Sequence, residues 1–218
     1  MKRFILLSVC TLLAFVVQAQ QNQKLQRVQS ALLFEGWPDA TVVQSFNRKL
    51  KTKANIFLKD ASLVYRNNDG KVMKAHLTKN ILGVNFGDSL RYLKIDETSL
   101  GKVIAQKGYN YLLCKTSVNM PLYREETDGG KGMDYFDMPD NNVFLNLDSE
   151  KRDDEQGIPL MNTYYFSIMG TVIPATESEF KNFVSKDQMQ AFKVLKENRF
   201  WSWKDEESLK MLFDFLPE

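Results

Sequence analysis

Residues 54–120 read ANIFLKDASLVYRNNDGKVMKAHLTKNILGVNFGDSLRYLKIDETSLGKVIAQKGYNYLLCKTSVNM, and their spacing decides the fold. Short apolar runs alternate with turn signals throughout. Successive side chains of a strand point to opposite faces, so Ala61, Leu63 and Tyr65 share one side of an extended segment. Asn68-Asp69-Gly70 follows, and Asp-Gly supplies the positive φ angles of a tight hairpin. The return segment places Met73, Ala75 and Leu77 on one face and Val72, Lys74 and His76 on the other. Leu82, Val84 and Phe86 make the next strand, Gly87-Asp88 the next turn, and Leu90 to Ile95 the strand after it. Val103 to Ala105 is extended, Lys107-Gly108 turns the chain, and Tyr109 to Met120 is the longest run. Connections this short force antiparallel neighbours, because a parallel pair needs a crossover of about a dozen residues. The stretch therefore predicts a meander of about five or six strands.

Working outward to the N-terminus, Met1 to Ala19 has the three parts of a secretory leader. Lys2 and Arg3 start it, Phe4 to Val17 is apolar, and Val17-Gln18-Ala19 is a small-residue cleavage site. The apolar run is short for a membrane span, and glutamines follow it. The expectation is cleavage, export to the periplasm or cell surface, and no transmembrane segment in the mature chain. Cys10 lies inside the apolar run, which argues against a lipid anchor there. Removing 19 of the 218 residues leaves 199, enough for one core. The 29 Lys and Arg exceed the 27 Asp and Glu by the two leader cations alone, so the mature chain is formally neutral. Nucleic acid, which calls for a concentrated positive field, is not an expected partner. Cys114 is the mature chain's one cysteine; it cannot form an internal disulfide, and a buried structural thiol is expected. Residues 20–40 read as a polar lead-in and Thr41 to Phe46 as a first strand. Gly36 and Trp37 are adjacent, so they do not make the Gly-x-Trp signature of lipocalins.

The charges are unevenly spread. Arg48 to Lys79 holds nine basic residues and two acids, whereas Glu125 to Glu155 holds eleven acids and three bases. Solvated loops and lysine-protected strand edges account for this most simply; docking of an anionic polymer is the functional alternative. Asp134, Asp137 and Asp140 lie in a Gly-, Asp- and Asn-rich loop and are the candidate ligands for a calcium ion. Their spacing does not match the twelve-residue calcium loop, so no metal or cofactor is assigned. No catalytic residue is assigned either. His76 is the single histidine, no Gly-x-Ser-x-Gly elbow occurs, and none of the three Gly-Lys pairs completes a phosphate loop. A carboxylate pair for glycoside hydrolysis is defined in space rather than along the chain, so that chemistry stays open.

Asn162 to Ile173 (NTYYFSIMGTVI) is strand-like and Pro174 ends it. The last 45 residues change to helical period. Thr176–Glu179 and Ser185–Gln188 fit capping boxes, and Ser202–Asp205 is a looser third start. The apolar sets that follow each fall on one helix face and are expected to cover the sheet. Trp37, Trp201 and Trp203 are candidate ligand or partner contacts, since tryptophan stacks on sugars when exposed and anchors packing when buried.

The tail KVLKENRFWSWKDEESLKMLFDFL resembles the C-terminal segment of uncharacterised secreted proteins of Bacteroidota, in which a Lys-rich helix precedes a Phe-Lys-Asp/Asn-Glu-Glu-x-Leu helix. Lys204, Asp205, Glu206, Glu207 and Leu209 carry the match, and Trp203 stands where those proteins often have Phe. The glutamine-rich start is similar as well. The resemblance implies a small envelope protein with a β domain and a helical tail, and implies no activity.

The sequence therefore predicts an α+β protein. An antiparallel β domain over residues 41–173, curled toward a partly closed barrel, precedes two or three short helices in residues 174–218. The expected function is non-enzymatic, with an envelope protein or glycan as partner. A barrel carrying a small apolar ligand and a carboxylate hydrolase of envelope glycans are the alternatives.

Overall fold

The computed structural model describes residues 26–126, 144–145 and 157–217. Residues 1–19, expected to be a leader, and the calcium candidates Asp134, Asp137 and Asp140 lie outside the described residues. Among the described residues, twelve antiparallel strands form one curled sheet, a half-barrel, with four short helices, three of them C-terminal. The strands are β1 (Arg27–Val28), β2 (Asp39–Gln44), β3 (Lys49–Phe57), β4 (Ser62–Arg66), β5 (Val72–Lys74) and β6 (Ile81–Phe86). They continue with β7 (Leu90–Lys94), β8 (Leu100–Lys107), β9 (Asn110–Val118), β10 (Phe144–Leu145), β11 (Ile158–Ile168) and β12 (Thr171–Pro174). Helix α1 (Met120–Glu126) follows β9, and α2 (Glu177–Phe180), α3 (Met189–Glu197) and α4 (Glu206–Lys210) follow β12.

The expected single meander is broken once. β2 to β5 pair in sequence, and so do β6 to β9, but β6 returns to pair with β2, Val42 opposite Val84. β5 has only three residues and gives its outer edge to β10, with Met73 opposite Phe144. β2 offers β6 a longer edge, from Ala40 opposite Phe86 to Gln44 opposite Ile81. A bulge in that pairing leaves Leu82 as the extra residue. Strict alternation would bury Leu82 beside Val84; the bulge turns Ile81 inward instead and leaves Leu82 exposed. A second bulge, at Ile104, re-aims β8 against β9.

Tyr109 to Met120 is not all strand. β9 stops at Val118, where the Asn119 carbonyl accepts a bond from the Tyr123 amide at 2.8 Å and starts α1. Pro121 suits a first helical turn, whose amides have no partner inside the helix. Residues 26–34, within the stretch expected to be a polar lead-in, are built into the sheet. β1 pairs with β11, and Ala31 is fully buried. Arg27 grips the Glu126 carboxylate with both guanidinium nitrogens, at 3.0 and 2.5 Å.

Asn55 shows how tightly this first segment is held. It is fully buried, its amide nitrogen donates to the Phe34 and Gly36 carbonyls at 2.8 and 2.7 Å, and its oxygen accepts from the Phe34 amide at 3.1 Å. Asn55→Ala leaves those backbone groups unpaired, which costs about 2–3 kcal/mol. The expected result is a thermal midpoint lower by about 5–10 °C, read by circular dichroism.

Paired residues share a face, so one row crosses six strands: Val42, Val84, Tyr92, Lys102, Cys114, Tyr164. This is the concave side. Toward one end of the strands it is filled by the N-terminal segment and by Leu58 and Leu63. The Leu58–Ala61 connection closes the curl there, accepting backbone bonds from Val118 at 2.8 Å and Leu100 at 3.0 Å. Toward the other end, Leu112, Phe166 and Ile168 pack against Phe180, Phe192, Leu209 and Leu212 of the helical tail.

Of the predicted caps, Thr176 stands at the N-cap of α2 but its side chain makes no capping bond, whereas Ser185 meets Gln188 before α3 through its hydroxyl, 3.1 Å from Oε1. The third start moves from Ser202 to Asp205. Its carboxylate accepts from the Ser208 amide and hydroxyl, both at 2.8 Å, and so caps α4.

The turn between β7 and β8 carries a titrating group. Burial pushes the Asp96 carboxyl up, but bonds from Ser99 and Thr98 outweigh burial and pull it down to about 2. A carboxyl whose folded value lies below its unfolded one stabilises the fold above pH ~4 and stops doing so as pH falls toward 2. Asp96→Asn should therefore be less stable than wild type at neutral pH. The difference should shrink between pH 4 and pH 2 in urea melts followed across pH.

Candidate functional site

On β9 and β11 the inner face reads apolar, polar, polar, apolar. Val118 opposite Leu160 belongs to one core and Leu112 opposite Phe166 to the other. Thr116 opposite Asn162, and Cys114 opposite Tyr164, lie between them. The Thr116 hydroxyl donates to Asn162 Oδ1 at 2.7 Å. A cleft of about 700 Å³ opens along this part of β11 toward the helical tail. Asn162, Thr163, Tyr164, Thr176, Trp203 and Lys204 line it, with Gln26 and Asn119 at its other wall. Among the described residues, no Asp or Glu lines it.

The tail positions Trp203. Its ring meets Trp201 edge-on at 4.8 Å and Phe180 at 6.1 Å. Trp201, also half-buried, turns its polar group inward: its indole nitrogen donates to the Ser208 carbonyl at 3.2 Å, inside the tail. Trp203 is half-buried and shows part of its surface to the cleft. Trp37 sits elsewhere. It packs on the N-terminal core with the Arg66 guanidinium 5.0 Å above its ring, a cation–π contact. Only one of the three candidate tryptophans therefore lines the cleft.

Electrostatics in this part of the sheet keep its groups neutral. Burial pushes the Cys114 thiol up, against a weaker downward pull from Thr116. A thiol raised by burial is a poor nucleophile, as expected of a structural cysteine. Burial likewise raises the Tyr164 phenol, with Cys114, Glu206 and Asp205 adding to the effect. Tyr92, deeper in the same row, is pushed to about 12 by burial and by Cys114. His76 is exposed in the connection after β5, whereas Cys114 is buried in β9.

No family model matches the chain, and no curated protein or solved structure matches it either. The site must be read from its own chemistry.

A second cavity of about 170 Å³ lies inside the curl, lined by Leu33, Ile56, Leu58 and Leu100 with Lys102 and Thr116. That is below the roughly 300–1,000 Å³ of typical ligand sites. Asp39 and Asp88 line a shallow concavity at β2 and β3, and both are exposed. Among the described residues, no group of three or more His, Cys, Asp or Glu is placed to hold a metal ion.

The cleft residues other than Trp203 are absent from the sequence-level candidates. Alternation in NTYYF puts Asn162 and Tyr164 on one face. Their neighbours Thr116 and Gln26 come from strands and segments whose pairing with β11 carries no local signal.

Proposed function

We propose that the protein is an exported, non-enzymatic binding protein of the cell envelope, and that its ligand is a neutral glycan held in the cleft between β11 and the helical tail. The observation that carries this is the lining among the described residues: a half-buried tryptophan, a tyrosine, amide and hydroxyl groups and the Lys204 ammonium, with no carboxylate. Sugars present C–H faces that stack on aromatic rings and hydroxyls that both donate and accept. Asn, Gln and Thr match them because each also donates and accepts, whereas a carboxylate only accepts. A cleft of about 700 Å³ admits one to three sugar rings, within the usual range for small-ligand sites.

Export rests on the leader-like first 19 residues, and an envelope setting on the resemblance of the tail. The non-enzymatic reading rests on the sequence, where one histidine and one mature cysteine leave the common catalytic and metal sets incomplete.

The test is a glycan array, followed by calorimetry with the best-retained sugar. Asn162 is exposed and water can replace it as acceptor for the Thr116 hydroxyl, so Asn162→Ala should lower the thermal midpoint by no more than about 2–4 °C. Losing a hydrogen bond to the ligand should weaken binding about tenfold, near 1.5 kcal/mol. Retention of no sugar, or equal affinity in the variant, would sink the proposal.

A further inference from the structure

The hairpin between β2 and β3 closes through Ser45-Phe46-Asn47-Arg48. Phe46 and Asn47 both have left-handed backbones, with φ of 59° and 57°. The pattern suits a hairpin, whose twist favours turns with positive φ at both central residues. Asn, Asp and Gly take such positions readily; a bulky side chain does so at a cost, because its Cβ crowds the backbone. Phe46 recovers nothing for that cost within the described chain, since it is 90% exposed. A residue that breaks the local rule without internal compensation points to something outside the chain.

Its neighbours say what. Leu50 is 55% exposed, and Leu82, pushed out by the bulge, is 48% exposed. Arg48, Lys49, Lys51 and Lys79 are exposed around them. The Ser45 amide bonds the Asn80 carbonyl at 2.8 Å, which holds the Lys79 loop beside the turn. No Asp or Glu occurs between residues 40 and 59 or between 70 and 87. Among the described residues, none of these four cations makes an ion pair.

We propose that this hairpin tip docks on an anionic lipid surface, with Phe46 entering the headgroup boundary and the four cations meeting lipid phosphates. A soluble polyanion would satisfy the cations but give Phe46, Leu50 and Leu82 no reason to leave water. A second copy of the tip would set four like charges against four. A charged bilayer answers both features, since interfacial binding adds apolar burial to electrostatic attraction. The helical tail packs at the opposite ends of the strands, around Leu112 and Phe166, so a membrane at the tip leaves the tail in water.

The test is co-sedimentation of the purified protein with phosphatidylcholine vesicles, with and without phosphatidylglycerol, compared across variants. Phe46→Asn should weaken binding to the anionic vesicles about tenfold. Because Asn tolerates the left-handed backbone, the same variant should raise the thermal midpoint by about 2–4 °C. Those opposite signs separate the proposal from a loss of folding. Lys49→Gln should weaken binding about fivefold. Met169 is an internal control: it is a second left-handed, exposed apolar hairpin residue (φ 49°, 56% exposed), at the other strand end, where Lys107 is paired with Asp214. Met169→Asn should bind as wild type does. Equal binding by wild type and Phe46→Asn, or no preference for anionic vesicles, overturns the proposal. So does retention on heparin without vesicle binding, which assigns the tip to a polyanion, or a dimer that Phe46→Asn abolishes.

Discussion

A curled sheet encloses a face that has to be filled, and the rest of this molecule follows from how that is done. Strands twist and coil, so a long antiparallel sheet either stacks on a second layer or wraps around something. Here it wraps around two separate plugs. The N-terminal segment enters from one end and is pinned by Asn55 and by the Arg27–Glu126 pair. The helical tail enters from the other and is organised by Phe166, whose ring meets Phe180 at 5.0 Å and Phe213 at 5.9 Å. Neither plug is large enough for the whole face. The strip between them, Thr116 with Asn162 and Cys114 with Tyr164, is the part of the inner face of β9 and β11 that carries polar groups between the two cores.

That division explains why the cleft lies where it does. An apolar residue at Asn162 would extend one core and close the opening; an amide keeps it wetted and available. Trp203 belongs to both settings. One edge packs on Phe180 and Trp201, and the remainder lines the cleft, so the tail that completes the core also supplies a wall of the site. In this account, folding of the tail and formation of the site are a single event.

Strand content, antiparallel pairing and the hairpins at Gly70, Gly87 and Gly108 are legible in the sequence, because each rests on local chemistry. All three glycines take positive φ in the structure. The return of β6 to β2 is not legible, since Val42 and Val84 are 42 residues apart and no turn signal links them. Both bulges are hidden for a related reason: the pattern of Leu82, Val84 and Phe86 reads as clean alternation, and only the partner strand reveals that Leu82 is the extra residue. The docked N-terminal segment is disguised by its composition, because Arg27 and Gln26 are polar yet held by α1 and β11. Trp203 is visible among the candidate contacts, whereas Asn162 is not, because an asparagine in a strand acquires meaning only from what faces it.

The central claim is that the cleft beside β11 is the binding surface, and backbone and side-chain amide NMR tests it most directly. Titrating an envelope glycan extract into labelled protein should shift the Asn162 side-chain amide and the Trp203 indole signal together. The Trp37 indole, on the N-terminal core, should stay fixed. Shifts centred on Trp37, or spread over the lysine face of β3 with Asn162 and Trp203 unmoved, would contradict the account.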